Sequence, residues 1–310
     1  MKEWDVYVCG DINVDLVVPG VEKLPEMGTE AFVPRMETFV GGGAALFALG
    51  TGKLGLRTVF QGSVGGDLYG HFIRETLKRC GVDDRLLEVR ENTGTGISIS
   101  FTGTRDRCFL TYPGTNGELD MGRINLEMVK KARHTHMTGY TDRNHEAYLK
   151  VLRAIRDMGD VTVSLDLGWD ESGNWYPRLP QLLPLVDILL MNETECLHTF
   201  RCEKAEDGAR KAAEDAGLAV VKTGSRGSLA VKCGQVETAR PFPVIAVDTT
   251  GAGDSFNAGF ISAWLRNMPL QACLERGNAC GALSVTALGG NTAFPDLEGL
   301  EDFLRKGMGT

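Results

Sequence analysis

The sequence has no excess of positive charge, no long hydrophobic run and no paired cysteines. Its 33 lysines and arginines are outnumbered by 41 aspartates and glutamates, so the net charge of −8 predicts no general basic surface for a nucleic acid or an anionic membrane. No run of about 18 apolar residues occurs, and the aspartates near the start do not fit a signal or transit peptide. We therefore expect a cytoplasmic protein without a nucleic-acid or membrane partner.

Cysteine and glycine are used in opposite ways. The eight cysteines are scattered singly without a Cys-x-x-Cys pair, and a chain of 310 residues is long enough to fold without disulfides, so we expect reduced, mostly buried thiols. Prolines number only 11, whereas the 39 glycines exceed the usual level of about 7 %. The glycine excess therefore predicts segments in which the backbone turns tightly or closely approaches another group.

Short β-branched segments alternate with longer amphipathic segments along the chain. This alternation is typical of βαβ units, so the predicted fold class is α/β, with a central, mostly parallel sheet flanked by helices. Strands are predicted at residues 6–9, 58–61, 134–138, 161–165, 188–191, 218–222 and 228–231, and helices at 68–79, 143–158 and 205–216.

Two regions, residues 16–40 and 86–112, interrupt this alternation. Residues 97–101 alternate apolar and polar side chains, residues 102–107 have the composition of a hairpin tip, and residues 108–110 would form the returning strand. We interpret these regions as insertions that form a small antiparallel sheet, a lid, on a single domain spanning residues 1–310. Its strand edges would need to be covered.

Residues 247–260 form the segment with the clearest chemical meaning. Its aromatic residues recur every four positions and predict a helix that begins near Gly251. A Gly-Ala-Gly start lets backbone N–H groups approach a phosphate, which the helix dipole also favours. Asp254 in the first turn would then act as a base that accepts a proton from an attacking hydroxyl. The alternative is a tight turn in which Asp254 only favours the start of the helix.

This segment also resembles a known signature. Residues 248–256, Asp-Thr-Thr-Gly-Ala-Gly-Asp-Ser-Phe, look like the C-terminal signature of the ribokinase-like (PfkB) family of carbohydrate kinases, and residues 41–55 resemble its N-terminal signature. Four more segments match in family order: residues 10–15, 62–70, 192–195 and 222–227. The resemblance covers nearly the whole chain. It implies the family's three-layer fold with a lid, and an ATP-dependent, Mg²⁺-assisted phosphoryl transfer to a hydroxymethyl group of a sugar.

The resemblance also implies roles for individual residues. Asp254 would be the catalytic base, with the backbone of Gly251, Ala252 and Gly253 as the anion hole. The sugar contacts would be Asn13, Asp15, Gly41, Gly42 and Gly43. The nucleotide contacts would be Asn192, Lys222, Gly224, Ser225, Gly227 and Asn278. Glu195 would hold Mg²⁺ through water. Relatives that use K⁺ bind it at the positions of Asp248, Thr250, Ser284, Ala287 and Gly289. A homodimer formed through the lid is a further implication.

Two positions depart from the family pattern. Leu46 stands where the N-terminal signature usually has asparagine, which implies a more apolar sugar pocket, and Ala293 stands where several relatives carry a hydroxyl group. A nucleoside kinase of the same fold is therefore one alternative function. A non-catalytic sugar-binding regulator is another, although the aspartate beside the Gly-Ala-Gly turn argues against it.

Several other residues have ordinary structural explanations. Asp15 could be a solvated loop acid, and Asn192 a simple helix cap. His134 and His136 alternate on one strand without a third metal ligand, so we expect core or edge histidines. Arg105, Arg107 and Tyr112 could reach the substrate from the lid, but a charge pair with Asp106 is the simpler interpretation.

Two nucleotide-binding patterns can be set aside. The pattern Gly50-x-Gly52-x-x-Gly55 precedes a strand instead of following one, so we do not interpret it as a dinucleotide site. The sequence also contains no Walker-type Gly-x-x-x-x-Gly-Lys-Ser/Thr motif.

Overall fold

A nine-stranded sheet and a four-stranded sheet organise the part of the chain that the computed structural model describes, residues 2–21, 23–102 and 107–307. The strands are β1 (Trp4–Cys9), β2 (Asn13–Pro19), β3 (Glu37–Gly41), β4 (Thr58–Gly65), β5 (Val82–Arg90), β6 (Ile97–Thr102), β7 (Arg107–Tyr112), β8 (Ala132–Met137), β9 (Thr162–Asp166), β10 (Ile188–Asn192), β11 (Ala219–Lys222), β12 (Ser228–Lys232) and β13 (Gln235–Ala239). The helices are α1 (Gly43–Lys53), α2 (Leu68–Arg79), α3 (Leu126–Lys130), α4 (His145–Met158), α5 (Glu193–Thr199), α6 (Ala205–Asp215), α7 (Ala252–Leu265), α8 (Leu270–Ser284) and α9 (Leu297–Gly307).

The large sheet has the strand order β13-β12-β11-β10-β9-β8-β1-β4-β5. The pairings from β11 to β5 are parallel, and β12 runs antiparallel to both of its neighbours. This arrangement confirms the prediction of a mostly parallel α/β sheet. Because the strands from β11 to β5 run in one direction, their carboxyl ends meet at one edge, where ligands bind in open α/β sheets.

Helices cover both faces of the large sheet, which gives three layers. Alternate residues of β1 show this: Val6 and Val8 pack into one core with α1, α2, α7 and α8, while Tyr7 and Cys9 pack into a second core with α4 and α6. Strand side chains alternate between faces, so continuous apolar strands supply both cores. No helix within the described residues is long and apolar enough to cross a membrane.

The boundaries of the regular elements follow the predictions closely. The predicted helix 68–79 matches α2, and α6 ends one residue before its predicted end. Residues 142–144 form a 3₁₀ turn, so α4 begins at His145 and not at 143. The start of α7 at Ala252, capped by Gly251, confirms the helix predicted in the glycine-rich segment. Five of the eight cysteines are buried, as expected.

The small sheet has the order β3-β2-β6-β7, and here the sequence prediction was partly wrong. The pairs β2–β3 and β6–β7 are antiparallel, but the central pair β2–β6 is parallel, so the lid sheet is mixed. The chain passes through β4, α2 and β5 between these strands, and such a long connection allows them to run in the same direction. The predicted hairpin tip, with Arg105 and Asp106, and the side chain of Arg107 lie outside the described part of the chain.

The boundary of the lid also needed correction. Residues 86–90, assigned to the lid from sequence, are the second half of β5, which pairs in parallel with β4 at the edge of the large sheet. Of the first predicted insertion, only its two ends are strands, in β2 and β3, while residues 23–36 lie outside strands and helices.

Candidate active site

Two helices begin close together in front of the sheet, and the first is α1. Its N-terminal groups are held by Asp11, which follows β1: the carboxylate accepts hydrogen bonds from the backbone N–H of Gly43 at 2.9 Å and of Ala44 at 3.2 Å. Gly42 caps the helix with φ +95°, and a Cβ there would lie 2.7 Å from the carbonyl oxygen of Asp11. Only glycine fits this position, so this part of the glycine run is required by a close backbone approach.

The second helix, α7, begins at the Gly-Ala-Gly turn. Gly251 caps it in the left-handed conformation with φ +70°, and Asp254 lies in the first turn. A Cβ placed on Gly43 would lie only 3.1 Å from Oδ1 of Asp254. The two glycine-rich signatures, about 200 residues apart in sequence, therefore face each other, and the Asp254 carboxylate lies between them.

A buried polar cluster adjoins this helix start, and the sequence analysis missed two of its members. Lys222 Nζ, at the end of β11, donates to Asp166 Oδ1 at 2.8 Å and to Asn257 Oδ1 at 3.3 Å. Asn257 Nδ2 in turn donates to Asp166 Oδ2 at 2.7 Å. A Cβ on Gly253 would lie 3.3 Å from Lys222 Nζ, so the ammonium group faces the Gly-Ala-Gly turn.

The Lys222–Asp166 ion pair is nearly removed from solvent, with side-chain exposures of 12 % and 10 %. A pair of this kind persists only when both charges are hydrogen-bonded, as they are here through Asn257. A signal for Asp166 was present in the sequence: it is the charged residue that ends the apolar strand β9, at the carboxyl edge of the sheet. Asn257, on a mostly apolar helix, gave no such signal.

Burial and neighbouring charges change the acid–base properties of this cluster. Burial, reinforced by the nearby carboxylates of Asp166 and Asp11, holds the pKa of Asp254 well above its usual range, although Lys222 opposes the shift. Burial alone would lower the pKa of Lys222, but Asp166 and Glu195 outweigh it and raise the pKa. The site therefore contains a lysine that keeps its charge and an aspartate with an increased affinity for a proton.

Asn192 and Glu195 form a reciprocal cap at the start of α5. Asn192 Oδ1 accepts from the backbone N–H of Glu195 at 2.9 Å, and Glu195 accepts from the backbone N–H and the side-chain amide of Asn192 at 2.7 Å each. The simple-cap interpretation of Asn192 is thus confirmed. Glu195 is buried, and burial together with Asp166 raises its pKa to about 7, against the effect of Lys222.

The predicted sugar contacts lie on the other side of Asp254. Asn13 and Asp15 are in strand β2, and Asn13 Nδ2 donates to Asp15 Oδ1 at 2.7 Å. The Asp15 carboxylate lies directly over Gly41, where a Cβ would come within 2.4 Å of it. Burial, together with the carboxylates of Asp248 and Asp11, raises the pKa of Asp15 to about 6. The interpretation of Asp15 as a solvated loop acid was wrong.

The predicted nucleotide contacts occupy the turn after Lys222 and a neighbouring helix. Gly224 and Ser225 lie in an exposed 3₁₀ turn between β11 and β12, which Gly227 ends. Asn278, on α8, is buried and donates its amide to the carbonyl oxygens of Ala239 at 3.1 Å and Arg240 at 3.0 Å. The structure therefore uses this amide to hold the segment that follows β13.

The predicted cation positions come from two chain segments that lie side by side. Asp248 accepts hydrogen bonds from the backbone N–H groups of Thr250 and Gly289, each at 2.9 Å. Ser284 donates to Gly281 within its own helix, and Ala287 lies in the loop that follows α8. Within the described residues no cluster of three or more histidine, cysteine, aspartate or glutamate side chains has the geometry of a metal site.

Leu46 packs against the start of α7. It is 5 % exposed, and its Cδ1 lies 2.6 Å from the position of a Cβ on Gly251 and 2.9 Å from that of a Cβ on Gly290. The leucine at this position thus fills the space behind the Gly-Ala-Gly turn. Its packing also restricts Gly251 to glycine.

His134 and His136 are buried core residues, as predicted. Ser164 Oγ lies 2.8 Å from His134 Nε2 and 2.7 Å from His136 Nδ1, and the ring of His136 stacks on Phe47. Tyr112 in the lid is exposed.

Comparison with known proteins identifies this arrangement. The family match and the solved structures with this three-layer α/β fold show a phosphotransferase that acts on a sugar hydroxyl. The chain belongs to the pfkB family of carbohydrate kinases, whose family model matches residues 5–297.

Named relatives differ in substrate. The chain is 28 % identical over 323 residues to the 5-dehydro-2-deoxygluconokinase of Lacticaseibacillus casei, covering 98 % of this chain and 97 % of the relative. It is 30 % identical over 299 residues to the nucleoside kinase of Methanothermobacter thermautotrophicus, covering 95 % and 94 %. The family is thus shared by kinases of sugars and of nucleosides.

Solved structures agree with the fold. The ribokinase of Arabidopsis thaliana, complexed with ribose and ATP, matches with a TM-score of 0.84 and 27 % identity over 98 % of this chain and 99 % of that one. A ribokinase-type protein of E. coli, in complex with ATP and Mg²⁺, matches with a TM-score of 0.86 and 24 % identity over 98 % and 99 %. ATP and Mg²⁺ are therefore ligands of proteins with this fold.

Proposed function

We propose that this protein is an ATP-dependent sugar kinase, which transfers the γ-phosphoryl group of ATP to a hydroxymethyl group of a monosaccharide, as ribokinases and fructokinases do. The observation that carries the proposal is the position of Asp254, between the glycine run at α1 and the start of α7. A carboxylate beside an anion site is unfavourable unless it serves the reaction. Its role here is to accept the proton of the attacking hydroxyl.

The acid–base balance of the cluster supports this role. Because its pKa is raised, Asp254 is a stronger base than an ordinary aspartate and takes the hydroxyl proton as the oxygen attacks phosphorus. The backbone N–H groups of Gly251, Ala252 and Gly253 stabilise the charge on the transferred phosphoryl group. Lys222, held in place by Asp166 and facing Gly253, supplies a fixed positive charge beside the same group.

The acceptor sugar would lie over Gly41, Gly42 and Gly43, with its hydroxyl groups on Asn13 and Asp15. A carboxylate accepts from two hydroxyls, and an amide both donates and accepts, so this pair suits a polyol. The lid strand β2 carries both side chains. A lid closed over the acceptor would exclude water from the transfer.

The nucleotide would extend from Lys222 along the turn of Gly224, Ser225 and Gly227 towards Asn278. Asn192 and Glu195 begin the helix next to this path and present only oxygen and amide groups, which fits Mg²⁺ bound through its water shell. Bound Mg²⁺ would neutralise phosphate charge. Asn192 and Glu195 would contribute to nucleotide binding by holding the end of β10 in one geometry.

Three finer features complete the proposal. The segments joined by Asp248 and Gly289, together with Thr250, Ser284 and Ala287, would hold K⁺ through backbone carbonyls. Replacement of K⁺ by Na⁺ should then lower turnover, and an unchanged rate would exclude this site.

We also infer a homodimer formed through the lid and a cytoplasmic location.

A nucleoside kinase is the second candidate. The nucleoside kinase relative and the apolar Leu46 favour it. An ADP-release assay over pentoses, hexoses, keto-deoxy sugar acids and nucleosides separates the two functions, because the acceptor with the highest kcat/KM identifies the class. Binding of a sugar without any release of ADP, over the whole panel, would instead support a non-catalytic regulator.

A further inference from the structure

Two cysteines lie side by side where the chain leaves helix α5. The backbone N–H of Phe200 donates to the carbonyl oxygen of Cys196 at 3.1 Å, and that of Cys202 donates to Leu197 at 3.1 Å. Arg201 between them has φ +48°, a left-handed conformation that residues other than glycine adopt rarely. The chain therefore reverses its direction at Arg201 and brings Cys202 back beside Cys196.

Helix α6 packs over both thiols. A Cβ on Gly208 would lie 2.5 Å from Cys196 Sγ and 2.8 Å from Cys202 Sγ, so the two sulfur atoms converge on one position of α6. Cys196 Sγ donates to the carbonyl oxygen of Ala205 at 3.5 Å, and Cys202 Sγ donates to that of Cys196 at 3.9 Å. The fold thus holds the two sulfur atoms as neighbours while both are free thiols.

The two thiols differ in their access to solvent. Cys196 is fully buried, whereas Cys202 is partly exposed. Burial raises the pKa of Cys196 to about 12, and the neighbouring Cys202 thiol adds to this shift. Because the thiolate is the reactive form of cysteine, an oxidant in solution should react first with Cys202. The thiol of Cys196 then lies beside the oxidised sulfur.

We propose that Cys196 and Cys202 form a site of reversible oxidation, at which a peroxide converts the two thiols into a disulfide. The Cys202 thiolate attacks one oxygen of hydrogen peroxide, the O–O bond breaks, and the departing oxygen leaves as water with the proton of the thiol. The sulfur of Cys196 then attacks the sulfenic acid on Cys202. The S–S bond forms, the S–O bond breaks, and the hydroxide leaves as a second water with the proton of Cys196.

The electrons balance in this sequence. Each sulfur atom loses one electron overall, and the peroxide gains two as it is reduced to two waters. A dithiol reverses the change by thiol–disulfide exchange. In a reducing compartment such disulfides are usually transient and redox-sensing, so the site is compatible with the reduced thiols of this structure. The proposal does not depend on the kinase function.

Trypsin provides a direct test, because Arg201 lies between the two cysteines. Cleavage after arginine and lysine places Cys196 in the peptide 179–201 and Cys202 in the peptide 202–204. The folded protein is treated with hydrogen peroxide, its remaining thiols are alkylated in denaturant, and it is digested without reductant. Mass spectrometry should then find the two peptides joined, about 2 Da below the summed mass of the free peptides. Dithiothreitol should separate them.

Substitutions assign the role of each thiol. Cys202→Ser should leave Cys196 open to alkylation after the same treatment, because the buried thiol is not attacked directly. Cys196→Ser should stop the reaction at the sulfenic acid of Cys202, with labelling by dimedone at least about 10-fold above that of the wild type. Cys233→Ser removes an exposed cysteine in the turn between β12 and β13 and is the matched control. It should still give the joined peptides.

Other results would contradict the proposal. It would be overturned if the oxidised wild type released both peptides alkylated and unlinked, or if Cys202 were joined to Cys233 instead. Oxidation in urea should give mixed pairings, and an equal yield of the Cys196–Cys202 link in urea and in buffer would show that the fold does not create the site. Should Cys196→Ser fail to fold, the wild-type peptide map and Cys202→Ser still decide the question.

Discussion

At the scale of single residues, the site depends on carboxylates whose environments differ. Asp11 is held by backbone N–H groups and caps a helix, Asp166 is paired with Lys222, and Asp254 keeps a raised pKa in front of both helix starts. The same residue type thus serves as a cap, as a partner of a buried lysine and as a candidate base. Burial and the nearest partner decide which role each aspartate takes.

Replacement of Asp254 tests the base directly. Asp254→Asn should lower kcat by about 10²- to 10⁴-fold, because a positioned base contributes on that scale, while ATP binding and thermal unfolding stay close to the wild type. The charge itself is disfavoured at this position, so its loss should not destabilise the fold. Turnover and nucleotide titration measure the two effects, and near-normal turnover would contradict the assignment.

The pH dependence of acceptor binding tests Asp15. Its pKa of about 6 lies above the ordinary value of an aspartate, so the carboxylate takes up a proton as the pH falls through about 6 and accepts fewer hydrogen bonds. We expect KM for the sugar to rise over that interval in the wild type. In Asp15→Asn this rise should be absent, and a rise that persists in the variant would point to another group.

The raised pKa of Asp15 also predicts how the stability of the fold changes with pH. The folded protein binds this proton more tightly than the unfolded chain, so the wild type should lose stability relative to Asp15→Asn as the pH rises from about 4 to about 6. Urea unfolding at several pH values measures the difference, which should be constant if Asp15 has an ordinary pKa.

At the scale of elements, the starts of α1, α5 and α7 bring the functional groups together. Each helix begins in front of the sheet, and each start is fixed in its own way: Asp11 holds α1, the Asn192–Glu195 pair caps α5, and Gly251 allows the turn into α7. The start of α7 has no side-chain cap. Because free N–H groups at a helix start attract anions, we expect the phosphate site at the start of α7.

The cap of α5 can be tested separately from catalysis. Asn192→Ala removes the reciprocal cap and should cost about 1 kcal/mol of stability, measured by urea unfolding. Asn192→Asp is the matched control: it can still cap the helix but adds a negative charge beside Glu195, so it should restore most of the stability and still raise KM for ATP. Equal KM values for ATP in the wild type and in Asn192→Asp would show that α5 does not take part in nucleotide binding.

At the scale of the whole molecule, the lid carries several exposed apolar side chains. Met27, Phe32 and Met36 in the segment before β3, and Phe109 and Leu110 on β7, are exposed. Clusters of exposed apolar side chains commonly mark protein contacts, and β7 is an edge strand of the small sheet.

A second copy of the chain is the partner that we expect at this surface. Sedimentation should show a homodimer, and the double variant Phe109→Ser and Leu110→Ser should shift it to a monomer. Leu68→Ser, at an exposed leucine at the start of α2, is the control and should leave the mass unchanged. A wild-type protein that sediments as a monomer at all concentrations would exclude the dimer.

Much of the fold was predictable because it depends on local patterns of apolar and polar residues. The alternation of apolar strands with amphipathic helices specified the parallel sheet, and the boundaries of α2 followed from its periodicity. The lid was harder to predict: a strand pattern shows which residues are extended but not which strand lies beside them. The parallel pair β2–β6 and the assignment of residues 86–90 to β5 therefore needed the structure.

The sequence alone determined the α/β class, the two glycine-rich helix starts and the choice of Asp254 as candidate base. Each of these depends on residues adjacent in the chain. The tertiary structure alone decided that Asp166, Lys222 and Asn257, from three separate elements, form one buried cluster. It also decided that Asp15 and Asp254 stand at the two ends of Gly41–Gly43. These contacts join residues far apart in sequence. The protonation of the aspartate and lysine side chains depends on burial and on neighbouring charges, which only the folded chain creates.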